Sequence, residues 1–144
     1  MTRAARLLRY LWPVPYTALG LLLGAVAIPF GATARRHHGV IEICGGSLGR
    51  QLARLPEPLR FSAMTLGHVI LAVDRSALGQ LRLHEHVHVR QYERWGPLFL
   101  PAYLGSSLLQ LLRGRNPYRE NHFERQAYAV VAARRRVTRQ SSRG

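Results

Sequence analysis

The sequence predicts an α+β fold, in which an N-terminal transmembrane helix precedes a small β-sheet. The sheet is expected to pack against one helix carrying His84 and His88 and a second helix carrying Glu124. Three observations predict this arrangement. A long uncharged segment follows a short basic start, short β-branched segments come next, and two amphipathic helical segments come last. With 144 residues, the chain is expected to form one domain after its N-terminal segment.

The N-terminal segment, residues 1–34, combines a basic start with an apolar continuation. Arg3, Arg6 and Arg9 recur at helical spacing, which is typical of a lead-in that lies on a membrane surface. No charged residue occurs over residues 14–34, a length close to that needed to span a hydrocarbon core of about 30 Å. We therefore predict a single-pass membrane anchor, with membrane lipid as a partner and the side of the remaining domain left open.

Two alternatives to the anchor stay open at this stage. A cleaved signal peptide would use the small residues Ala32 and Ala34, and a soluble domain could bury the same segment as a helix. The anchor is favoured because the apolar run is longer than a usual signal core and is followed by two arginines. The pattern Gly20-x-x-x-Gly24 could pair such helices, so a homo-oligomer is a further expectation.

The middle of the chain predicts the sheet. Residues 40–44 are rich in β-branched side chains and end at a Gly-Gly turn, and residues 47–55 could form a short helix closed by prolines. Residues 61–73 are a second candidate strand or hairpin, in which Gly67 permits a bulge.

The helix expected at residues 77–94, capped by Asp74, carries the pattern His-Glu-x-x-His. Residues four apart share one face of a helix with Cβ atoms about 5–6 Å apart, so His84 and His88 can reach one metal ion. His86 would face away. A strand would instead place all three histidines on one face, but the helix is favoured because the apolar residues do not alternate.

A second ligand-bearing helix is expected beyond an apolar helix at residues 98–112, which would touch the bilayer. Asn116 and Pro117 are typical of a helix start, and Glu120 and Glu124 would then share one face. A catalytic zinc site needs three protein ligands and an open position for water, and two histidines with one glutamate are a known solution. Spacing alone leaves the third ligand open between Glu120 and Glu124.

These two helices together resemble those of the gluzincin-type zinc metallopeptidases, and especially their compact form, the minigluzincins. The resemblance extends over residues 62–132 and is carried by His84-Glu85-His86-Val87-His88 and by Glu124-Arg125-Gln126-Ala127. It implies that His84, His88 and Glu124 bind Zn²⁺ and that Glu85 is the general base. A peptide or protein would be the substrate.

The resemblance also implies that residues 64–72 offer a sheet edge to an extended peptide. Tyr92, one turn beyond His88, could support the substrate or an oxyanion, although a core tyrosine is the commoner role. Glu120, Tyr92 and His86 are therefore expected to be supporting residues or alternative ligands.

A net charge of +14 implies attraction to anionic lipid, nucleic acid or an acidic partner. The chain has no zinc finger and no recognisable RNA-binding motif, so no specific nucleic acid is expected. Two interpretations then compete: a zinc metallopeptidase at a membrane, and a non-catalytic membrane-associated metal-binding or structural protein. Glu85 favours the first, because a structural site needs no base. The predicted domains are the anchor at 1–34, the metal-binding domain at 35–133 and a disordered Arg-rich tail at 134–144.

Overall fold

The computed structural model of the chain describes residues 7, 9–54 and 61–142, which form an α+β fold. A mixed four-stranded sheet has the order β1-β2-β4-β3, in which β2 and β4 are parallel and the two outer pairs are antiparallel. The strands are β1 (Ala32–His37), β2 (Val40–Gly45), β3 (Ala63–Leu66) and β4 (Val69–Ala72). The helices within the described ranges are α1 (Val14–Ala27), α2 (Gly46–Ala53), α3 (Arg75–Trp95), α4 (Phe99–Leu112) and α5 (His122–Ser141).

The predicted N-terminal transmembrane helix is wrong, and so is the single-pass membrane localisation derived from it. Among the residues that the structure describes, no helix has both the length and the apolar character needed to cross a membrane. The uncharged segment is divided instead, because a 3-10 turn at Ile28–Phe30 and Gly31, with φ +89°, redirect the chain into β1. Helix α1 keeps 14 residues, about 21 Å of helix.

Helix α1 packs its smallest residues against the sheet. Gly20, Gly24 and Ala27 are its buried positions, whereas its leucines lie on the exposed side. A Cβ atom added at Gly20 would lie 2.7 Å from the Cβ of Val69, and one at Gly24 would collide with Ile43. The Gly-x-x-x-Gly pattern therefore serves close helix–sheet contact in this chain.

Strand β4 lies in the middle of the core because both of its faces are covered. Val69 and Leu71 belong to the apolar cluster beneath α1, and Ile70 and Ala72 belong to the cluster beneath α3. None of the four is more than 1% exposed. Successive side chains of a strand point to opposite faces, so a continuous apolar run is what a strand between two layers requires.

Several predicted elements are present with adjusted limits. The strand at 40–44, the apolar helix at 98–112 and the hairpin at 61–73 correspond to β2, α4 and the β3–β4 pair, with Gly67 in the hairpin turn at φ +59°. The short helix predicted at 47–55 corresponds to α2, and Leu55 lies outside the described residues. Residues 134–141, predicted as part of a disordered tail, continue helix α5, and residues 143–144 lie outside the description.

Candidate metal centre

Helix α3 positions the two histidines of the His-Glu-x-x-His pattern. Its N-cap is Asp74, as predicted, and the Ala77 backbone N–H donates to Asp74 Oδ1 over 2.8 Å. The 21 residues of the helix run without interruption to Trp95. His84 and His88 are therefore one turn apart on one face, with ring centroids separated by 4.8 Å. Both side chains are buried.

The helix that brings Glu124 to this face begins later than the sequence predicted. Its N-cap is Asn121, whose Oδ1 accepts a hydrogen bond from the Phe123 N–H at 2.9 Å. The Asn121 side chain is fully buried, and its amide donates to the Tyr103 carbonyl and to Ser107 Oγ of α4 at 2.9 and 2.7 Å. Helix α4 thereby fixes the first turn of α5, and Glu124 in that turn points at the two histidines.

Because α5 begins at His122, only one of the two candidate glutamates, Glu124, lies in this helix. Asn116 caps a turn instead of a helix, because its Oδ1 accepts from the N–H groups of Tyr118 and Arg119 at 3.0 and 2.7 Å. Glu120 consequently lies before the helix, with a side chain 44% exposed and an ion pair to Arg125 at 3.9 Å. It does not share a helical face with Glu124.

The three buried side chains converge on one point. His84 Nε2 lies 3.1 Å from His88 Nε2 and 3.1 Å from Glu124 Oε2, and His88 Nε2 lies 3.3 Å from Glu124 Oε1. Ligands at 2.0–2.1 Å from a tetrahedral zinc ion are about 3.3 Å apart, so the separations agree with a shared ion. The cluster of His84, His88 and Glu124 could therefore hold a metal ion.

The Gln91 side chain determines which ring nitrogen of His88 carries the proton and which has a lone pair toward the cluster. The Gln91 amide NH₂ donates to the Phe123 carbonyl and to Gln126 Oε1, both at 3.1 Å. Its Oε1 is therefore directed at His88 Nδ1, 2.8 Å away, and can only accept there. The proton of a neutral His88 then resides on Nδ1, which leaves a lone pair on Nε2 toward the cluster.

Glu124 offers the negative charge of the site. The Tyr103 hydroxyl donates to Glu124 Oε1 over 2.7 Å, whereas Oε2 is buried and accepts no well-formed hydrogen bond from the described residues. Burial alone would raise the pKa of Glu124, but the neighbouring imidazoles and the Tyr103 hydroxyl outweigh it and hold this pKa well below its usual range. A buried carboxylate oxygen without a well-formed hydrogen bond, next to two imidazole nitrogens, is a set of donors that a bound cation would satisfy, so the residues fit a metal.

Glu85 lies beside the cluster and is oriented by the sheet. Its side chain is buried, and the Thr65 hydroxyl of β3 donates to Glu85 Oε2 over 2.8 Å. Burial raises the pKa of Glu85 above the usual carboxyl value, against the opposing effects of His88 and the Thr65 hydroxyl. The carboxyl group is thus held in one orientation and retains a proton more readily than an exposed glutamate.

Two of the predicted supporting residues do not join the cluster. His86 points to the other side of α3, where its Nε2 lies 3.6 Å from Glu42 Oε1. Tyr92 is 1% exposed and packs against Phe99, with ring centroids 4.3 Å apart, so it is a core residue. The helical course of residues 84–88 also removes the alternative of three histidines on a strand.

Four residues of the site were missed in the sequence analysis. They orient His88, Glu124, Glu85 or the second helix, and they are Thr65, Gln91, Tyr103 and Asn121. Gln91 had a usable signal, because it follows His88 by three residues on the same helix. The other three act across contacts that are distant in sequence.

No protein-family model, no curated protein and no solved structure matches this chain. The resemblance to the gluzincin-type enzymes therefore rests on the motif residues alone.

Proposed function

We propose that this protein is a zinc-dependent peptidase that hydrolyses an amide bond, with a site of the minigluzincin type. The observation that carries the proposal is the buried convergence of His84, His88 and Glu124 with Glu85 immediately beside them. Two imidazoles and one carboxylate suit zinc among the divalent ions, whereas Mg²⁺ and Ca²⁺ prefer oxygen ligands throughout.

In this proposal the metal ligands are presented in the protonation states that zinc requires. Gln91 keeps the His88 proton on Nδ1 and frees Nε2, and the Tyr103 hydroxyl holds Glu124 in place. A bound zinc ion would act as a Lewis acid and make a water molecule acidic near neutral pH.

Glu85 would act as the general base and then as the general acid. Its Oε2 accepts the Thr65 hydroxyl, so Oε1 is the atom that takes the proton of the attacking water. The same oxygen would return the proton to the leaving amine nitrogen.

The substrate would bind as an extended peptide along β3. This strand pairs only with β4 within the sheet, and it carries Thr65 beside the base. An edge strand offers unpaired backbone groups to which an extended chain can add by main-chain hydrogen bonds. Of the edge expected at residues 64–72, only the β3 part has a side without a neighbouring strand among the described residues, because β4 lies between β2 and β3.

A non-catalytic metal site is the second candidate, and the nearly complete burial of its ligands favours it. His84, His88 and Glu124 are only 5, 7 and 2% exposed, as is common for a site that stabilises a fold. The two candidates differ in their need for Glu85, because a structural site has no use for a base.

The test begins with the zinc content of the purified protein, measured by elemental analysis for the parent, His84→Ala, Glu124→Gln and Glu120→Gln. We expect about one zinc per chain in the parent and in the exposed-glutamate control Glu120→Gln, and loss in the other two. A folded parent without zinc, even after addition of the metal, would refute the proposal.

The peptidase part of the proposal is tested by comparing the parent and Glu85→Gln for cleavage of a library of fluorogenic peptides. We expect the variant to retain zinc and to lose peptide cleavage that the parent performs. Zinc binding without cleavage of any peptide by the parent would identify the site as structural.

A further inference from the structure

Helix α3 borders a cleft on the side opposite His84 and His88. A cleft of about 490 Å³, here called the distal cleft, lies between α3, the two hairpin turns of the sheet and the residues that precede α1. Most of the side chains that line it are basic or aromatic: Arg9, Tyr10, His38, His68, His86 and Arg90. Its volume lies in the range of about 300–1,000 Å³ usual for small-molecule sites.

The charge of the distal cleft is positive. Glu93 is the one acidic residue among its lining residues, and this carboxylate already accepts contacts from Arg9 at 3.5 Å and His68 at 3.3 Å. The guanidinium of Arg90 forms no ion pair or hydrogen bond with the part of the chain that the structure describes. The Glu93 carboxylate is already paired and is not available to a cation, whereas the Arg90 guanidinium is available to an anion.

The lining is held in place by the fold. The Tyr10 ring stacks on the buried His68 ring at 4.6 Å, and the His68 backbone N–H donates to Thr17 Oγ1 of α1 at 3.1 Å. His38 adopts φ +48°, a left-handed conformation that is costly for a residue other than glycine. His86 Nε2 is buried and lies 3.6 Å from Glu42 Oε1, which keeps the imidazole in place at the wall of the cleft.

We propose that the distal cleft binds a small, multiply charged oxyanion, of the class of phosphorylated or polycarboxylate metabolites. The Arg90 guanidinium would form a bidentate contact with one oxyanion group, because its planar fork matches phosphate and carboxylate oxygens. The exposed imidazole of His38 would border the remaining charge, and Arg9, although paired with Glu93, would add to the positive potential of the cleft. This site is separate from the metal centre and does not depend on peptidase activity.

The proposal is tested by isothermal titration of the full chain with inorganic pyrophosphate and, separately, with citrate. We expect saturable binding of one anion per chain for at least one probe, weakened at least tenfold by Arg90→Ala, since a hydrogen bond to a charged group contributes about 1.5–3 kcal/mol. Preference for pyrophosphate or for citrate would identify the oxyanion group. Arg94→Ala is the matched control, because it removes the same charge from an exposed position of the same helix outside the cleft.

Both probes chelate zinc, so the titration is repeated with Glu124→Gln, in which the proposed metal site is disabled. Retained binding in that variant would support the distal cleft as the site. The proposal is overturned by absence of saturable binding at millimolar probe, by equal weakening in Arg90→Ala and Arg94→Ala, or by loss of binding in folded Glu124→Gln.

Discussion

The two faces of α3 both border carboxylates and histidines, but the carboxylates on the two faces have different partners. On one face, Glu85 accepts the Thr65 hydroxyl, and Glu124 of α5 contacts two imidazoles and the Tyr103 hydroxyl, while its Oε2 accepts no well-formed hydrogen bond from the described residues. On the other face, the carboxylate of Glu42 accepts two hydrogen bonds from Arg82 at 2.8 and 3.0 Å, and Glu93 is paired with Arg9.

The difference shows that an arginine partner determines whether a carboxylate remains available to coordinate a cation. A carboxylate held by a guanidinium has its charge and lone pairs engaged, whereas one facing neutral imidazoles can coordinate a cation. In a chain with 21 basic and 7 acidic residues, most acidic side chains are expected to find an arginine. The buried carboxylates that face histidines instead are therefore informative about function.

The largest difference between the faces is expected from a pair of substitutions two residues apart. His88→Ala should weaken zinc binding by more than a hundredfold, because a ligand matters more than a supporting residue, whose loss costs about 10- to 100-fold. His86→Ala should leave zinc affinity unchanged. Competition with a chromophoric chelator measures both, and equal losses would contradict the assignment of the two faces.

The next effect concerns the residue that fixes the His88 tautomer. Gln91→Leu removes the acceptor of His88 Nδ1–H and is expected to weaken zinc binding about 10- to 100-fold. Gln80→Leu is the matched control on an exposed part of α3, and it should have no effect on zinc. If Gln91→Leu bound zinc like the parent, the orienting role of Gln91 would be wrong.

On the opposite face, the expected effect is on stability. Glu42→Ala removes both hydrogen bonds to Arg82, and we expect the free energy of unfolding to fall by about 1–2 kcal/mol, because Arg82 can turn to water. Urea titration followed by circular dichroism measures this change. Zinc affinity should stay at the parental value, and a parallel loss of zinc would show that the two faces are not independent.

The smallest effect is expected from one hydroxyl group. Tyr103→Phe removes a hydrogen bond to Glu124, and a change of about 1 kcal/mol corresponds to roughly fivefold weaker zinc binding. Tyr16→Phe is the comparison, since the Tyr16 hydroxyl donates to the Pro97 carbonyl away from the cluster. That variant should lose some stability while its zinc affinity is unchanged, and the reverse pattern would contradict the role of Tyr103.

The sequence was sufficient to place the histidines but not the second helix. The juxtaposition of His84 and His88 follows from helical geometry, which is a local property. The start of α5 is not local, because Asn116 and Asn121 are equally acceptable caps by residue type. Asn121 caps the helix, and it also donates to Tyr103 and Ser107, 18 and 14 positions earlier in the chain.

The error over the transmembrane helix has a similar origin. A hydropathy profile counts apolar residues but does not show which face of a helix packs against the rest of the protein. In α1 the face with Gly20, Gly24 and Ala27 packs against the sheet. Strand β1 was missed because Ala32–His37 has little β-propensity. It pairs in antiparallel register with β2, so pairing with the neighbouring strand stabilises an extended segment whose own residues favour a strand only weakly.

The neutrality of Gln91 has an electrostatic consequence for the proposed centre. Two neutral imidazoles, one carboxylate and a divalent ion sum to one positive charge, and an amide behind His88 leaves that sum unchanged. An aspartate or glutamate at position 91 would cancel it and make the imidazole a stronger electron donor. With a bound divalent ion, the proposed centre would thus combine firm orientation of His88 with an undiminished positive charge, the combination that favours attack on a carbonyl carbon.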